Sequence, residues 1–279
     1  MTTLGTQTFG LKKEFTDDLR GTIRALHEIG FETIEPLILF SDKQGKMPKN
    51  TWALDTLDEA KHIMDELGMR IPSAHIGIGI GWFSMPLGKV TKTILAVHEK
   101  YGIDTFIISG MFSTAGLERH WAKLIRRINE EVRTRGCKIA YHNHDDEFSR
   151  IRGREALSVF FDEVGEDVAL QLDIGWAGLA GDEVKAAERY ADRIISLHLK
   201  DFYSPYREGG YTQKTVPVEA FAPMGEGNIK IPEILSMRDR FSNFSGSILI
   251  DQDKYAGNML ESLRIGHDNV RRMLAEAVK

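Results

Sequence analysis

One rhythm constrains this chain more than any single residue. Short apolar runs of strand type alternate with stretches whose apolar residues return at helical spacing, and the alternation continues along its whole length. Thr3 to Phe9 reads as the first strand. Leu19, Ile23, Leu26 and Ile29 then recur at helical spacing, with Thr16 as the expected N-cap and Gly30 as the stop. The second strand is predicted at Phe31 to Pro36, ending on Glu35, and a helix capped by Thr56 should run to Leu67 and close at Gly68. Arg70 to Ile78 is the expected third strand, Thr91 to Tyr101 the next helix and Thr105 to Ser109 the fourth strand. The second half repeats the beat. Leu117 to Arg135 is helical, Lys138 opens the fifth strand, and Arg154 to Val164 is helical before a strand at Val168 to Asp173. A helix at Glu183 to Ala191, a strand at Ile194 to Lys200, a helix from Pro232, a strand at Ser247 to Asp251 and a last helix from Met259 to Val278 complete the prediction.

Eight strand–helix units with no break in composition predict one domain over residues 1–279, an α/β fold of the (β/α)8 TIM barrel kind. Several strands are apolar throughout, as strands covered on both faces must be. The competing architecture is a doubly wound sheet, but no Gly-x-Gly-x-x-Gly follows the first strand. The formal net charge of -5 offers no basic footprint for nucleic acid. The single cysteine, Cys137, rules out an intrachain disulfide and suits a reducing compartment. No signal peptide or membrane span is expected, so the predicted location is cytoplasmic.

In a parallel barrel the chemistry sits at the C-terminal ends of the strands. His75, His142, His144 and His198 fall at or near such ends; so do Glu35, Asp173, Lys200 and Asp251. Side chains alternate along a strand, so Ala140, His142 and His144 share one side, and His198 and Lys200 share another. Asp173 ends an apolar run, where a buried carboxylate needs a cation or several donors. Asp251 follows the same logic, with Asp253 as the alternative inward carboxylate. Two imidazoles and two carboxylates suit one borderline divalent ion, manganese, cobalt, zinc or iron(II), better than calcium.

The ordered set Tyr141-His-Asn-His-Asp-Asp-Glu-Phe148, Leu172-Asp-Ile-Gly-Trp-Ala177, His198-Leu-Lys-Asp201, Gly225-Glu-Gly227 and Ile250-Asp-Gln-Asp253 resembles the sugar phosphate isomerase/epimerase family. These are the xylose isomerase-like barrels, a group that also includes inosose and dehydroshikimate dehydratases and the endonuclease IV proteins. The resemblance implies one divalent ion held by His142, Asp173, His198 and Asp251. Two departures accompany it. Many epimerases carry Glu where this chain has His142 and again where it has Asp251, and there the two glutamates shuttle the proton. Trp176 stands where the endonucleases have a metal ligand, which argues against a three-zinc nuclease.

The expected chemistry is removal of a proton α to a carbonyl, giving an enediolate of a sugar or keto-polyol, phosphorylated or not. Lys200, His144 and Asp251 are the candidate proton carriers. Glu35 and His75 are expected to bind hydroxyls, and Trp176 either to offer a sugar ring an apolar face or to belong to the core. Gly225-Glu226-Gly227 lies where barrels often bind phosphate, although a turn into the following helix explains it better. The irregular segment from Phe202 to Asn228 is expected either to cover the pocket or to lie in a homodimer contact. A sugar isomerase or epimerase ranks first, a dehydratase or lyase acting on a keto-sugar or inosose second, and a non-catalytic sugar-binding barrel third.

Overall fold

The computed structural model describes residues 2–39, 54–77, 87–110 and 116–277. Nine parallel strands build the barrel: β1 (Thr3–Gln7), β2 (Thr33–Glu35), β3 (Leu37–Leu39), β4 (Ala74–Gly77), β5 (Thr105–Ser109), β6 (Lys138–His142), β7 (Ala169–Asp173), β8 (Ile194–Leu199) and β9 (Ser247–Ile250). Their order around the sheet is β2-β1-β9-β8-β7-β6-β5-β4-β3. The expected second strand, Phe31 to Pro36, is β2, and a further strand that was not predicted, β3, follows it. Pro36 separates the two because a proline has no N–H to give the ladder. β2 pairs with β1 and β3 with β4. The gap is bridged by the His75 N–H, which donates to the Pro36 carbonyl at 2.9 Å, and by Arg70, whose N–H donates to the Glu32 carbonyl and whose carbonyl accepts the Ile34 N–H, both at 3.1 Å. Eight staves therefore close into a barrel.

The helices between the strands are α1 (Lys12–Asp17), α2 (Leu19–Ile29), α3 (Leu54–Glu66), α4 (Leu87–Tyr101), α5 (Glu118–Val132), α6 (Ala156–Val164), α7 (Ile174–Ala180), α8 (Glu183–Arg189), α9 (Ile231–Ser236) and α10 (Met259–Glu276). Three differ from expectation. Thr16 lies inside the short α1, with its hydroxyl donating back to the Lys12 carbonyl at 2.7 Å, and is not the N-cap of α2. Asp18 caps α2 instead, accepting from the Gly21 N–H at 2.8 Å, and Gly30 ends that helix at φ 110° as predicted. Thr56 sits within α3, which starts before it. The helix α7 was not anticipated, because Gly175 and Gly178 depress its local propensity. Burial of every residue from Ile174 to Leu179 and a side-chain cap from Asp173 hold it in place.

The third strand is shorter than expected. Arg70 makes an isolated bridge to Thr33, Pro72 interrupts the run, and regular pairing starts at Ala74. Ile78 and Val278, the expected ends of that strand and of the last helix, lie outside the described residues.

Between strands and helices runs one apolar layer that includes Leu4, Ile34, Phe106, Ile139, Leu172, Leu197 and Ile248. The lumen is stacked differently. Ile107, Ala140 and Ile195 plug its lower part, and polar side chains replace them toward the top. The register of β8 against β7 slips between Ile194 and Ser196, so Ile195 is an extra residue facing the plug. Above the slip His198 lies level with Asp173.

Candidate metal and active site

Period-2 alternation carries Ala140 and His142 of β6, and Gln171 and Asp173 of β7, into the lumen. His198 enters from β8, and Asp251 and Asp253 follow β9. One side-chain atom from each of His142, Asp173, His198 and Asp251 lies within 4.8 Å of the others, and all four residues are buried. Asp253 is apart from this group and grips Lys200 at 2.7 Å, so geometry separates the two aspartates.

The residues fit a divalent ion. Two oxygens in the cluster, Asp173 Oδ2 and Asp251 Oδ1, are buried with no hydrogen-bond donor. An orphaned anionic oxygen is costly unless a cation completes it. Asp173 divides its carboxylate between two tasks. Oδ1 accepts the Trp176 N–H at 2.8 Å and caps α7, while Oδ2 faces His142 Nε2 at 4.0 Å and Lys200 Nζ at 3.5 Å. Asn143 fixes the same residue by a reciprocal pair of bonds: its amide donates to the Asp173 carbonyl and its oxygen accepts the Asp173 N–H, both at 3.0 Å.

Opposite charges are packed tightly here. Burial disfavours the His198 cation, yet Glu35 and Asp251 on either side raise its pKa to about 10. Its Nε2 is 3.1 Å from Glu35 Oε1 and its Nδ1 3.2 Å from Asp251 Oδ2. Lys200 is wholly buried, a state its charge resists, but Asp251, Asp253 and Asp173 hold its pKa above the usual lysine value. Its ammonium donates to Asp251 Oδ2 at 2.9 Å and lies 5.1 Å over the Trp176 ring. Gly175 makes this possible, since a Cβ there would collide with the Lys200 Cβ. Asp251 is ionised: burial opposes its charge, but Lys200 and His198 hold its pKa far down. Burial raises Asp173 to about 6 and, with Asp251 beside it, Asp253 to about 7.

The other candidates divide by exposure. Burial and then Lys200 lower His144 to about 3, leaving a neutral imidazole whose buried Nδ1 has no hydrogen-bond partner. His142 is also neutral, through burial and the three imidazoles around it. Glu35 is fully buried. Ser73, Gln171 at 2.9 Å and His198 all engage it, and His75 Nδ1 lies 3.7 Å away. Burial works against its charge, but His198 and His75 outweigh it and keep the carboxyl well below its ordinary value. His75 Nε2 meets Ser109 Oγ at 3.0 Å. Trp176 is 2% exposed and packs against Phe202 and Phe221.

Sequence reasoning missed Gln171, Asn143, Ser73 and Glu147. The signal for Gln171 was present: it is polar, two residues before Asp173, in an otherwise apolar strand. Gly225-Glu226-Gly227 holds the chain's own carboxylate. Asp201 accepts the Gly225 and Gly227 N–H groups at 2.9 Å through Oδ2, and those of Phe202 at 2.9 Å and Ile229 at 3.0 Å through Oδ1. A Cβ at Gly227 would strike that carboxylate. The segment after Asp201 pairs Asp201–Phe202 with Phe221–Ala222 as an antiparallel hairpin. Arg207 to Glu183 at 2.6 Å, and the Gln213 N–H to Asp145 at 3.0 Å, fasten the rest.

A closed parallel barrel with a buried imidazole–carboxylate cluster at its C-terminal mouth defines the class. The chain belongs to the xylose isomerase-like TIM barrel family, whose model matches residues 23–266. A sugar phosphate isomerase/epimerase from Parabacteroides distasonis superposes with a TM-score of 0.74 at 19% identity, covering 100% of this chain and 96% of its own. A xylose isomerase-like TIM barrel protein from Mycobacterium smegmatis, in complex with magnesium, gives 0.71 at 13% identity over 100% and 98%. The probable 3-DHS dehydratase AsbF of petrobactin synthesis from Bacillus anthracis gives 0.68 at 17% identity over 97% and 99%. No curated protein matches the sequence significantly. Among the described residues no helix is long and apolar enough to cross a membrane.

Proposed function

We propose that this protein is a divalent-metal-dependent sugar isomerase or epimerase acting on a keto-sugar or sugar phosphate. The observation that carries the reading is the convergence of His142, Asp173, His198 and Asp251 within 4.8 Å, directly beside a buried, charged lysine. When bound, a divalent ion supplies Lewis-acid polarisation of a carbonyl and its neighbouring hydroxyl. Two imidazoles and two carboxylates favour a borderline ion such as manganese, cobalt, zinc or iron(II).

The chain's own groups then divide the proton work. Lys200 carries its proton securely and is the donor that faces charge developing on the substrate oxygen. His144 is neutral and its buried Nδ1 has no hydrogen-bond partner, so it is the proton acceptor. Asp251 binds the ion's side of the cluster and holds Lys200 in place. Trp176 supports the lysine from below. The substrate is a small sugar or keto-polyol.

A dehydratase or lyase is the second reading, and His142 favours it. It puts a neutral imidazole where a symmetric proton shuttle would need a carboxylate, so the two faces of the substrate carbon meet unlike groups. A one-base site suits loss of a β-hydroxyl. One experiment addresses both readings. The protein is stripped with a chelator, reloaded with manganese, and given a panel of keto-sugars in deuterium oxide. Metal-dependent deuterium at the α carbon without loss of mass supports isomerisation or epimerisation; loss of water with new ultraviolet absorbance supports the lyase. Absence of both, with or without the ion, leaves a sugar-binding barrel.

A further inference from the structure

Both imidazoles of the cluster are gripped on their far nitrogens by one connected pair of side chains. Glu35 is a carboxylate surrounded by donors: Ser73 Oγ, Gln171 Nε2 at 2.9 Å and His198 Nε2 at 3.1 Å. It comes from β2, across the lumen from β7 and β8. Because a carboxylate only accepts, the amide nitrogen of Gln171 must be the atom that points to it. The same amide group also donates to Ser196 Oγ at 3.2 Å. The oxygen of Gln171 is thereby turned toward His142 Nδ1 at 3.1 Å, and that nitrogen must carry hydrogen. The lone pair of His142 is left on Nε2, the atom facing Asp173. On the other imidazole Glu35 takes the Nε2 hydrogen, so the hydrogen an ion would displace is the one on Nδ1, which donates to Asp251 Oδ2 at 3.2 Å.

We infer that Glu35 and Gln171 form a strap that sets the two imidazoles in opposite tautomers, so that His142 presents Nε2 and His198 presents Nδ1 to one metal ion. Glu35 is then a positioning residue acting through His198 and Gln171, which its complete burial favours over direct hydroxyl binding. Such outer carboxylate and amide partners fix ring orientation and raise ligand basicity. This rests on the metal reading above, and the test keeps the two apart.

Zinc is titrated into the chelator-stripped wild-type protein and into Glu35→Gln and Gln171→Leu variants, with affinity read by calorimetry. Long-range proton–nitrogen spectra of the zinc-loaded wild type then identify the hydrogen-bearing nitrogen of each histidine. The expected result is Nδ1–H at His142 and Nε2–H at His198, with affinity about 10–100-fold weaker in each variant. Should Glu35→Gln fail to fold, the spectra of the unaltered chain decide alone. The same tautomer at both rings overturns the strap, as do variants that bind zinc like wild type. A wild-type chain that binds no zinc overturns the metal reading instead; Nδ1–H at His142 in that ion-free chain, lost in Gln171→Leu, still upholds the Gln171 half of the strap, and its absence sinks it.

Discussion

The carboxylate of Asp173 starts a helix with one oxygen and faces the His142 and Lys200 side chains with the other, the Trp176 N–H lying 2.8 Å from Oδ1. The two tasks separate under mutation. Asp173→Asn keeps an oxygen for the cap, whereas Asp173→Ala loses it. We expect both to lose tight metal binding, and the asparagine variant to stay more stable than the alanine variant by about 1 kcal/mol. Denaturant unfolding of chelator-treated proteins checks this, and equal stabilities would show that the cap contributes nothing.

Lys200 compensates a buried acidic group made of Asp251, Asp253 and Asp173. Its removal in Lys200→Met leaves that charge unpaired and should destabilise the ion-free protein by about 3–5 kcal/mol. Manganese should recover part of the loss, since it restores positive charge at the same place. His144→Ala removes none of these ion pairs. It should cost about 10²–10⁴-fold in kcat while the thermal midpoint moves little; a near wild-type rate would remove His144 from the proton path.

Glu147 supplies a pH dependence independent of the ion. It is wholly buried, accepts from the Tyr141 hydroxyl at 2.6 Å and from the His144 N–H at 2.8 Å, and burial lifts its pKa from 4.5 to about 8. Between those values the folded chain keeps a proton that the unfolded chain has released. The unfolded state binds fewer protons, so stability must fall as pH rises through this window. The loss is a few kcal/mol, at about 1.4 kcal/mol per unit. In Glu147→Gln the amide oxygen accepts from His144 and its nitrogen donates to Tyr141, whose hydroxyl still reaches the Gly110 carbonyl. The variant should gain stability relative to wild type on going from acid to mildly alkaline solution. Parallel stability–pH curves would count against the assignment.

Asp201 occupies the backbone donors of Gly225 and Gly227. Asp201→Ala strands four N–H groups and should cost about 3–5 kcal/mol; Gly227→Ala should be comparably harmful because its methyl meets the carboxylate. Inorganic phosphate should give the wild-type protein no thermal stabilisation through this loop. A phosphate-dependent shift that Asp201→Ala abolishes would reverse this conclusion.

The barrel was legible because its strands and helices have different periods, and His142, Asp173, His198 and Asp251 converge because all four end staves of one ring. What escaped was set by contacts between distant segments. Asp18 displaced Thr16 as a cap because an unforeseen short helix claimed the threonine. α7 forms in spite of its glycines, which are there so that Lys200 and Ile229 can approach. The second strand was ended at Pro36, and that the chain beyond it forms a strand paired on the opposite side was not foreseen. Glu35 was placed correctly at a strand end; that its neighbours would be Ser73, Gln171 and two histidines is a property of closure, visible only across the lumen.

Asn143 behaves as a counterfeit peptide. By giving and taking one bond each with the main chain of Asp173, its amide adds a rung beyond the last true pairing of β6 with β7. The main chain is thus released to veer away and carry His144 outward, while the two staves remain zipped at the height of the cluster. Any side chain without an amide at this position would let the zipper part where His142 and Asp173 must stay side by side.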